Sequence, residues 1–553
     1  MLAAIAIWIE VVVVSKSLRH TLAVVVMAMV AAFSFAIAPG TARATDAGSI
    51  TVDGKVATRY DAYQLFSATV IDDADADQKV ATDITWANDA VRQAVLPVLH
   101  DAGLDSSAST AQEAAEWINA DGHMTTALTA KLARAIVKAG VVPVALNAGT
   151  TAELPCGYWL IVADDDAIAQ NEVGTAPIMV LVGGSAVAVK PKAATPKVAK
   201  RVLEDGTAAW QKAADATVGD DLYWRLSATV PAGLAAYDAY AVQFVGTMSA
   251  GLDPSEVAAS MRVYVAAGAD GGFDAVACEG GRAGTEPAKG WTDITAQCKV
   301  SVEGNSFTVR TGDLIAALGG ADAFAAGARV VAVYSAPLGA NCNRGVTKGN
   351  PNEVYLRYPR SPLADQSGDA GFTRTPSDDA TAYTWGLNLI KRSSSDDKPL
   401  ADAKLRITDD RGRTLAADGA WTTDADGYVV SGEDGRVELN GVDAGVYTVE
   451  EVAAPKGYTA FEGKRTVTIA ADGLDVKQVA AAKPKVTVSA ESPLRVDAAD
   501  AGTGSIELSV LNTPSKEASR GFMPSTGDRT LVLVAVLAAI GVAAIVVALV
   551  IKR

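Results

Sequence analysis

The end of this chain restricts it more than any other stretch. Residues 531–551 are an unbroken run of 21 uncharged residues, mostly Leu, Val, Ala and Ile, closed by Lys552 and Arg553. At 1.5 Å rise per residue, a helix of that length crosses a hydrocarbon core of roughly 30 Å. The run is therefore expected to be a transmembrane helix. Its cytoplasmic-type charges follow it, so the positive-inside rule puts everything before it outside the cell.

The other end agrees. Lys16, Arg19 and His20 precede an apolar stretch at 22–38, and Thr41-Ala42-Arg43-Ala44 has the small-x-small pattern at which a secretory signal peptide is cut. Residues 1–44 are expected to be removed on export. Residues 1–14 are a further apolar piece, too short to span, and stand outside the exported fold.

Between these ends the chain is acidic, with a formal net charge of -16 and a pI near 4.8. That balance argues against nucleic acid or anionic lipid as a partner. Of the three histidines only His100 and His123 lie in the exported part, and neither sits in a catalytic or metal-ligand motif. No cofactor and no metal are expected. Four cysteines, Cys156, Cys278, Cys298 and Cys342, are too few for a disulfide scaffold. One bridge, Cys278 to Cys298, is expected because both fall in one insertion-like stretch; the alternative is free thiols.

Hydropathy patterning divides the exported chain into three. Residues 45–192 read as a mixed α+β domain: 60–66 alternates as a strand does, 86–104 and 111–139 have helical spacing, and 157–162 and 176–182 are strands again. Its exit is Val187-Ala188-Val189-Lys190-Pro191-Lys192, a strand running into a Pro- and Lys-rich linker. Residues 193–364 carry period-2 strands at 221–231, 243–252, 330–335 and 353–358, the pattern of a β-sandwich. A Ser- and Asp-rich stretch, 367–379, reads as a linker. Residues 380–515 are a further all-β domain with strands at 387–391, 400–407, 445–458 with its turn, and 505–512.

Ahead of the terminal span stands Met523-Pro524-Ser525-Thr526-Gly527. Together with the span and the basic end, it makes 516–553 resemble the cell-wall sorting signal of Gram-positive surface proteins, whose usual form is Leu-Pro-x-Thr-Gly; Met523 stands for the Leu. The resemblance implies that a sortase transpeptidase cuts between Thr526 and Gly527 and passes the Thr526 carbonyl to an amine. The tyrosine-rich opening of the first domain, its Gly157-Tyr158-Trp159-Leu160 strand and the Lys190-Pro191-Lys192 exit resemble the first domain of Gram-positive major pilins, whose linker carries Tyr-Pro-Lys. Lys192 matches the motif lysine, which receives the threonine of the next subunit. Lys190 replaces the family's Tyr, which leaves the acceptor open between Lys192, Lys190 and Lys197.

In the middle domain, Val218-Gly219-Asp220, Thr247-Met248-Ser249-Ala250-Gly251-Leu252 and Gly349-Asn350-Pro351-Asn352 resemble the corresponding pilin domain, which is held by a Lys–Asn isopeptide bond. This implies Lys200 and Asn352 as the joined pair. The acid that the family places just before Thr-Met-Ser is Gly246 here.

In the last domain, Tyr447-Thr448-Val449-Glu450-Glu451-Val452-Ala453-Ala454-Pro455-Lys456-Gly457-Tyr458 resembles the E-box of collagen-adhesin B-type immunoglobulin-like domains. There a Lys on the first strand and an Asn on the last are joined beside the E-box Glu, which implies Lys391 as nucleophile, Asn512 as electrophile and Glu451 as acid. Physical chemistry asks for these groups. Burial disfavours an ammonium and leaves a neutral amine able to attack, and it also favours a protonated carboxyl that polarises the amide. Pleat parity selects Glu451 over Glu450, because Tyr447, Val449 and Glu451 share one strand face.

The expected fold is thus mainly β: tandem immunoglobulin-like β-sandwiches after a mixed α+β N-terminal domain, with a signal peptide and a transmembrane helix at the two ends. By resemblance the chain is the shaft subunit of a covalent, sortase-polymerised surface fimbrium anchored to the cell wall and serving adhesion. Its partners are the sortase, identical subunits, peptidoglycan and a host surface ligand, with no nucleic acid among them. It is no enzyme beyond forming its own internal amides. The alternative is a monomeric wall-anchored adhesin binding a host or bacterial surface ligand, which would share the tail and the B-type domain and would not use Lys192.

Overall fold

The computed structural model describes residues 47–515 apart from 55, 74–77, 193, 269–286, 477–478 and 480–483. The signal peptide, Cys278, Thr526, Gly527 and the apolar terminal run lie outside the described residues. Among the described residues no helix is long and apolar enough to cross a membrane. The chain is mainly β, in three successive units.

Gly157–Ala163 is buried at every position, as a strand covered on both faces must be. Its alternate residues serve two cores: Tyr158, Leu160 and Val162 face the helices, while Trp159, Ile161 and Ala163 face a small sheet. With Arg59–Asp73, Gln78–Trp86, Ile178–Val182 and Val144–Asn147 it forms a five-stranded sheet. The small sheet is Ala47–Val52, antiparallel to Thr151–Pro155 and parallel to Val187–Val189. A bulge between Gln64 and Phe66 flips the pleat, so the sequence neighbours Leu65 and Phe66 both reach the helix-side core.

The helices Asp89–Asp101, Ala111–Asn119 and Thr126–Lys138 begin at Asn88, Thr110 and Thr125, whose side chains accept from the backbone N–H groups of Val91, Glu113 and Leu128. The one helix expected over 111–139 is therefore two. Gly122, at φ +83°, turns the chain where a continuing helix cannot, and Thr125 caps the next one.

The middle unit is a sandwich. One sheet runs Ala209–Gln211, Val198–Glu204, Tyr223–Val230, Ala328–Ser335, Arg262–Ala267, Thr292–Asp293; the other runs Ala213–Asp215, Asp378–Tyr383, Asn350–Pro359, Gln243–Met248, Ser306–Arg310, Lys299–Glu303. The core between them is closed by Trp224, Phe244, Phe307, Tyr334 and Tyr358. The stretch 367–379 is not a plain linker. Phe372–Arg374 and Asp378–Tyr383 pair with Asn350–Pro359, so the sandwich runs past 364, and the boundary expected at 380 falls inside a strand. The Thr375 hydroxyl accepts from the Leu356 N–H at 3.0 Å, and the Lys212 ammonium donates to Asp378 at 2.5 Å. Polar residues here satisfy strand backbone and a buried cation instead of water.

The third unit is a second sandwich. Arg436–Val442, Trp385–Ser393, Ser505–Pro514 and Tyr458–Thr459 form one sheet, with Leu494–Asp500 on the far side of Ser505–Pro514. Trp421–Thr422, Thr414–Leu415, Lys404–Thr408, Gly445–Ala453, Lys464–Asp472 and Lys485–Ala490 form the other. Trp385, Leu387, Leu389, Val449, Leu508 and Val510 fill the space between.

Candidate functional site: two buried lysine–asparagine pairs

Lys391 and Asn512 meet because the first and last strands of the third unit lie side by side. Trp385–Ser393 pairs in parallel with Ser505–Pro514, with Lys391 opposite Val510 and Ser393 opposite Asn512. Lys391 and Asn512 are thus diagonal neighbours on one face, a separation that a long side chain spans. Their backbones are held: Leu400 donates to the Lys391 carbonyl at 2.9 Å and Ser394 to the Asn512 carbonyl at 2.8 Å.

Glu451 reaches them from the facing sheet. Along Gly445–Ala453 the residues Tyr447, Val449 and Glu451 are buried, while Glu450 turns outward to Arg406 at 3.1 Å. Glu451 Oε1 lies 3.2 Å from Lys391 Nζ, with both side chains fully buried, and accepts from Asn512 Nδ2 at 2.9 Å. Its Oε2 accepts from the Phe461 N–H at 3.0 Å, and the Phe461 ring covers Lys391 Nζ at 5.7 Å. Asn512 Oδ1 has no hydrogen-bond partner among the described residues. Burial pulls the Lys391 ammonium down to about 8 against the opposing attraction of Glu451.

One carboxyl oxygen therefore touches both the nitrogen that would attack and the nitrogen that would leave. Passing a single proton from Lys391 to Glu451 would give a neutral amine on the strand next to Asn512 and a protonated carboxyl beside the amide nitrogen. Those are the groups that an attack on Asn512 Cγ with loss of ammonia would use.

The middle unit holds a second pair. Lys200, on Val198–Glu204, and Asn352, on Asn350–Pro359, come from opposite sheets and are both fully buried. Among the described residues neither side chain is hydrogen-bonded to a carboxyl; both meet Tyr334. Lys200 Nζ donates to the Tyr334 hydroxyl at 2.7 Å and Asn352 Nδ2 to the same oxygen at 3.0 Å. Trp224, Phe307 and Tyr334 wall the amine with ring centroids 5.3–5.6 Å away. Burial holds the Lys200 ammonium well below its ordinary value. Gly246 has no room for an acid, since a Cβ there would come within 2.1 Å of the Phe307 ring. Tyr334 carries no sequence signal for this place. It lies 134 residues from Lys200 and 18 from Asn352, and only the fold joins them.

The linker lysines present a different face. Lys190, Lys192 and Lys197 are exposed, and the Lys192 carbonyl is fixed by the Thr175 hydroxyl at 3.2 Å. Cys298 is a half-buried thiol that donates to the Ile294 carbonyl at 3.3 Å. Burial pushes it up to about 11. His100 contacts the Ala108 carbonyl and His123 the Trp117 carbonyl, both through ring nitrogens.

Residues 386–483 match the SpaA family, a prealbumin-like fold domain. No curated protein matches the chain. Solved structures to which the chain is similar include the T6 backbone pilin of Streptococcus pyogenes, at 15% identity and a TM-score of 0.46, over 85% of this chain and 98% of that one. The major pilin SpaD of Corynebacterium diphtheriae gives 15% and 0.42 over 85% and 98%. The major pilin BcpA of Bacillus cereus gives 12% and 0.38 over 85% and 99%.

Proposed function

We propose that this chain is the shaft subunit of a covalent surface fimbrium on a Gram-positive cell, exported, polymerised by a sortase and anchored in the cell wall. The observation that carries it is the buried Lys391–Glu451–Asn512 constellation in a unit matching the SpaA family. A self-forming amide there suits a protein that bears tension. Force entering at Trp385 and leaving at Pro514 would pass from first strand to last across the Lys391–Asn512 bond, and the roughly 120 residues between them would stay folded.

Polymerisation needs an electrophile and a nucleophile on the outside. Thr526 in the sorting motif supplies the first, and Lys192 supplies the second, with its side chain exposed and its backbone fixed. The Lys200–Asn352 pair would crosslink the middle unit in the same manner. Immunoblots of cell-surface extracts test the proposal: a ladder of high-mass species that survives boiling in detergent is expected, whereas a single band at monomer mass favours the wall-anchored adhesin.

A further inference from the structure

We propose that Tyr334 is the proton-transfer residue of the Lys200–Asn352 pair, standing where the third unit has Glu451. This rests on the internal-crosslink part of the proposed function and deepens it. The two sites share one geometry. In the third unit a single oxygen, Glu451 Oε1, contacts Lys391 Nζ at 3.2 Å and Asn512 Nδ2 at 2.9 Å. In the middle unit a single oxygen, the Tyr334 hydroxyl, contacts Lys200 Nζ at 2.7 Å and Asn352 Nδ2 at 3.0 Å. In both, the asparagine carbonyl oxygen is buried and without a partner among the described residues.

No carboxyl among the described residues is within hydrogen-bond distance of Lys200 Nζ or the Asn352 amide: Asp379 and Glu353 act on Lys200 only at a distance, and Asp378 is committed elsewhere. Asp378 accepts from the Lys200 backbone N–H at 2.7 Å and from the Lys212 ammonium at 2.5 Å, both through main chain or a different lysine. A side chain at position 246 would run into the Phe307 ring, and that ring packs edge-on against Tyr334 with centroids 5.0 Å apart. The group that stands against the pair is a phenol held by neighbouring rings.

The step balances without an added reagent. Lys200 enters as the neutral amine and its Nζ bonds to Asn352 Cγ. One Nζ hydrogen passes to the Tyr334 oxygen while the phenol's own hydrogen passes to Asn352 Nδ2. The Cγ–Nδ2 bond then breaks and ammonia leaves, carrying two amide hydrogens and the one relayed. The product keeps one N–H on the new amide, and Tyr334 ends as the neutral phenol it began as.

Intact mass of protein purified without sortase tests this. Wild type is expected to be lighter than its mature sequence by two ammonias, Tyr334→Phe by one and Glu451→Ala by one, with a branched peptide linking Lys200 to Asn352 in wild type and Glu451→Ala and absent from Tyr334→Phe. The third-unit loss, read in the same spectrum, reports that the third unit has folded, and a cooperative unfolding transition of the middle unit reports the same for the part that holds Tyr334. If Tyr334→Phe fails to fold, 3-fluorotyrosine placed at 334 keeps the shape and makes the hydroxyl more acidic. The time course of the middle-unit mass loss in cell-free synthesis should then change several-fold, and an unchanged one overturns the assignment. Two ammonias lost from folded Tyr334→Phe also overturn it. Wild type that loses one ammonia, with only the Lys391–Asn512 branched peptide, overturns it and leaves the shaft function standing; loss of none overturns the internal-crosslink part of that function as well.

Discussion

Glu450 and Glu451 are adjacent on one strand and face opposite ways: Glu451 Oε1 sits 3.2 Å from the buried Lys391 ammonium, and Glu450 meets Arg406 at the surface. Only one of two identical side chains can therefore serve the pair. Glu451→Ala is expected to abolish the third-unit ammonia loss. It should also destabilise that unit by on the order of 4–5 kcal/mol, the chain-entropy value of a crosslink closing about 120 residues. Glu450→Ala should keep the bond and cost no more than about 1 kcal/mol, as an exposed ion pair does. Mass spectrometry and denaturant unfolding of the two variants check this, and dependence on Glu450 would refute the assignment.

The lysine itself gives a pH signature when it is left unreacted. In Asn512→Ala the Lys391 amine stays free, with a folded value of about 8 against 10.5 for the ordinary side chain. Between those values the unfolded chain binds more protons than the folded one. Stability therefore rises with pH across that window and falls as pH drops through it, by on the order of 3 kcal/mol in all. Denaturant midpoints of Asn512→Ala, compared with Lys391→Met/Asn512→Ala, isolate the effect. Parallel profiles for the two would contradict it.

Lys192→Arg keeps the charge and removes the attackable amine, because a guanidinium stays protonated. The surface ladder is expected to collapse to monomer while export and folding continue. A ladder that persists would move the acceptor to Lys190 or Lys197, which are also exposed.

The two sandwiches are also joined to each other. Asp220 of the middle unit takes a two-pronged pair from Arg413 of the third, at 2.6 and 2.8 Å, and a further contact from Arg411 at 2.7 Å. Trp385 Nε1 donates to Asp215 at 2.6 Å in the buried part of the same seam. Asp220→Ala should weaken the coupling by on the order of 2 kcal/mol, typical of charge-assisted bonds that are partly buried. Calorimetry should then resolve separate transitions for the two units, whereas an unchanged single transition would show that the clamp contributes nothing.

The sequence was most legible where a local period decides the outcome. Alternation placed Glu451 inward, and the all-apolar 157–162 run became a strand covered on both faces. It was least legible where distant backbone decides. Ser and Asp in 367–379 have the composition of a linker, yet the free edge of Asn350–Pro359 recruits Phe372–Arg374 and Asp378–Tyr383 as strands. The helical spacing at 111–139 hid a break, because Gly122 at φ +83° turns the chain and Thr125 caps a new helix. Tyr334 was illegible because its partners lie on other strands, and nothing around it in the sequence marks a reactive group.

Thr526→Ala should leave the chain held at the membrane and unpolymerised, and normal release of that variant would remove the sortase step from the mechanism. The junction between subunits can be observed itself. Proteolysis of purified surface polymer followed by tandem mass spectrometry should yield a branched peptide in which the Thr526 carboxyl is joined to the Lys192 side-chain nitrogen. Surface material in which every chain ends at Thr526 on a peptidoglycan amine, with Lys190, Lys192 and Lys197 all recovered unmodified, would contradict a covalent shaft.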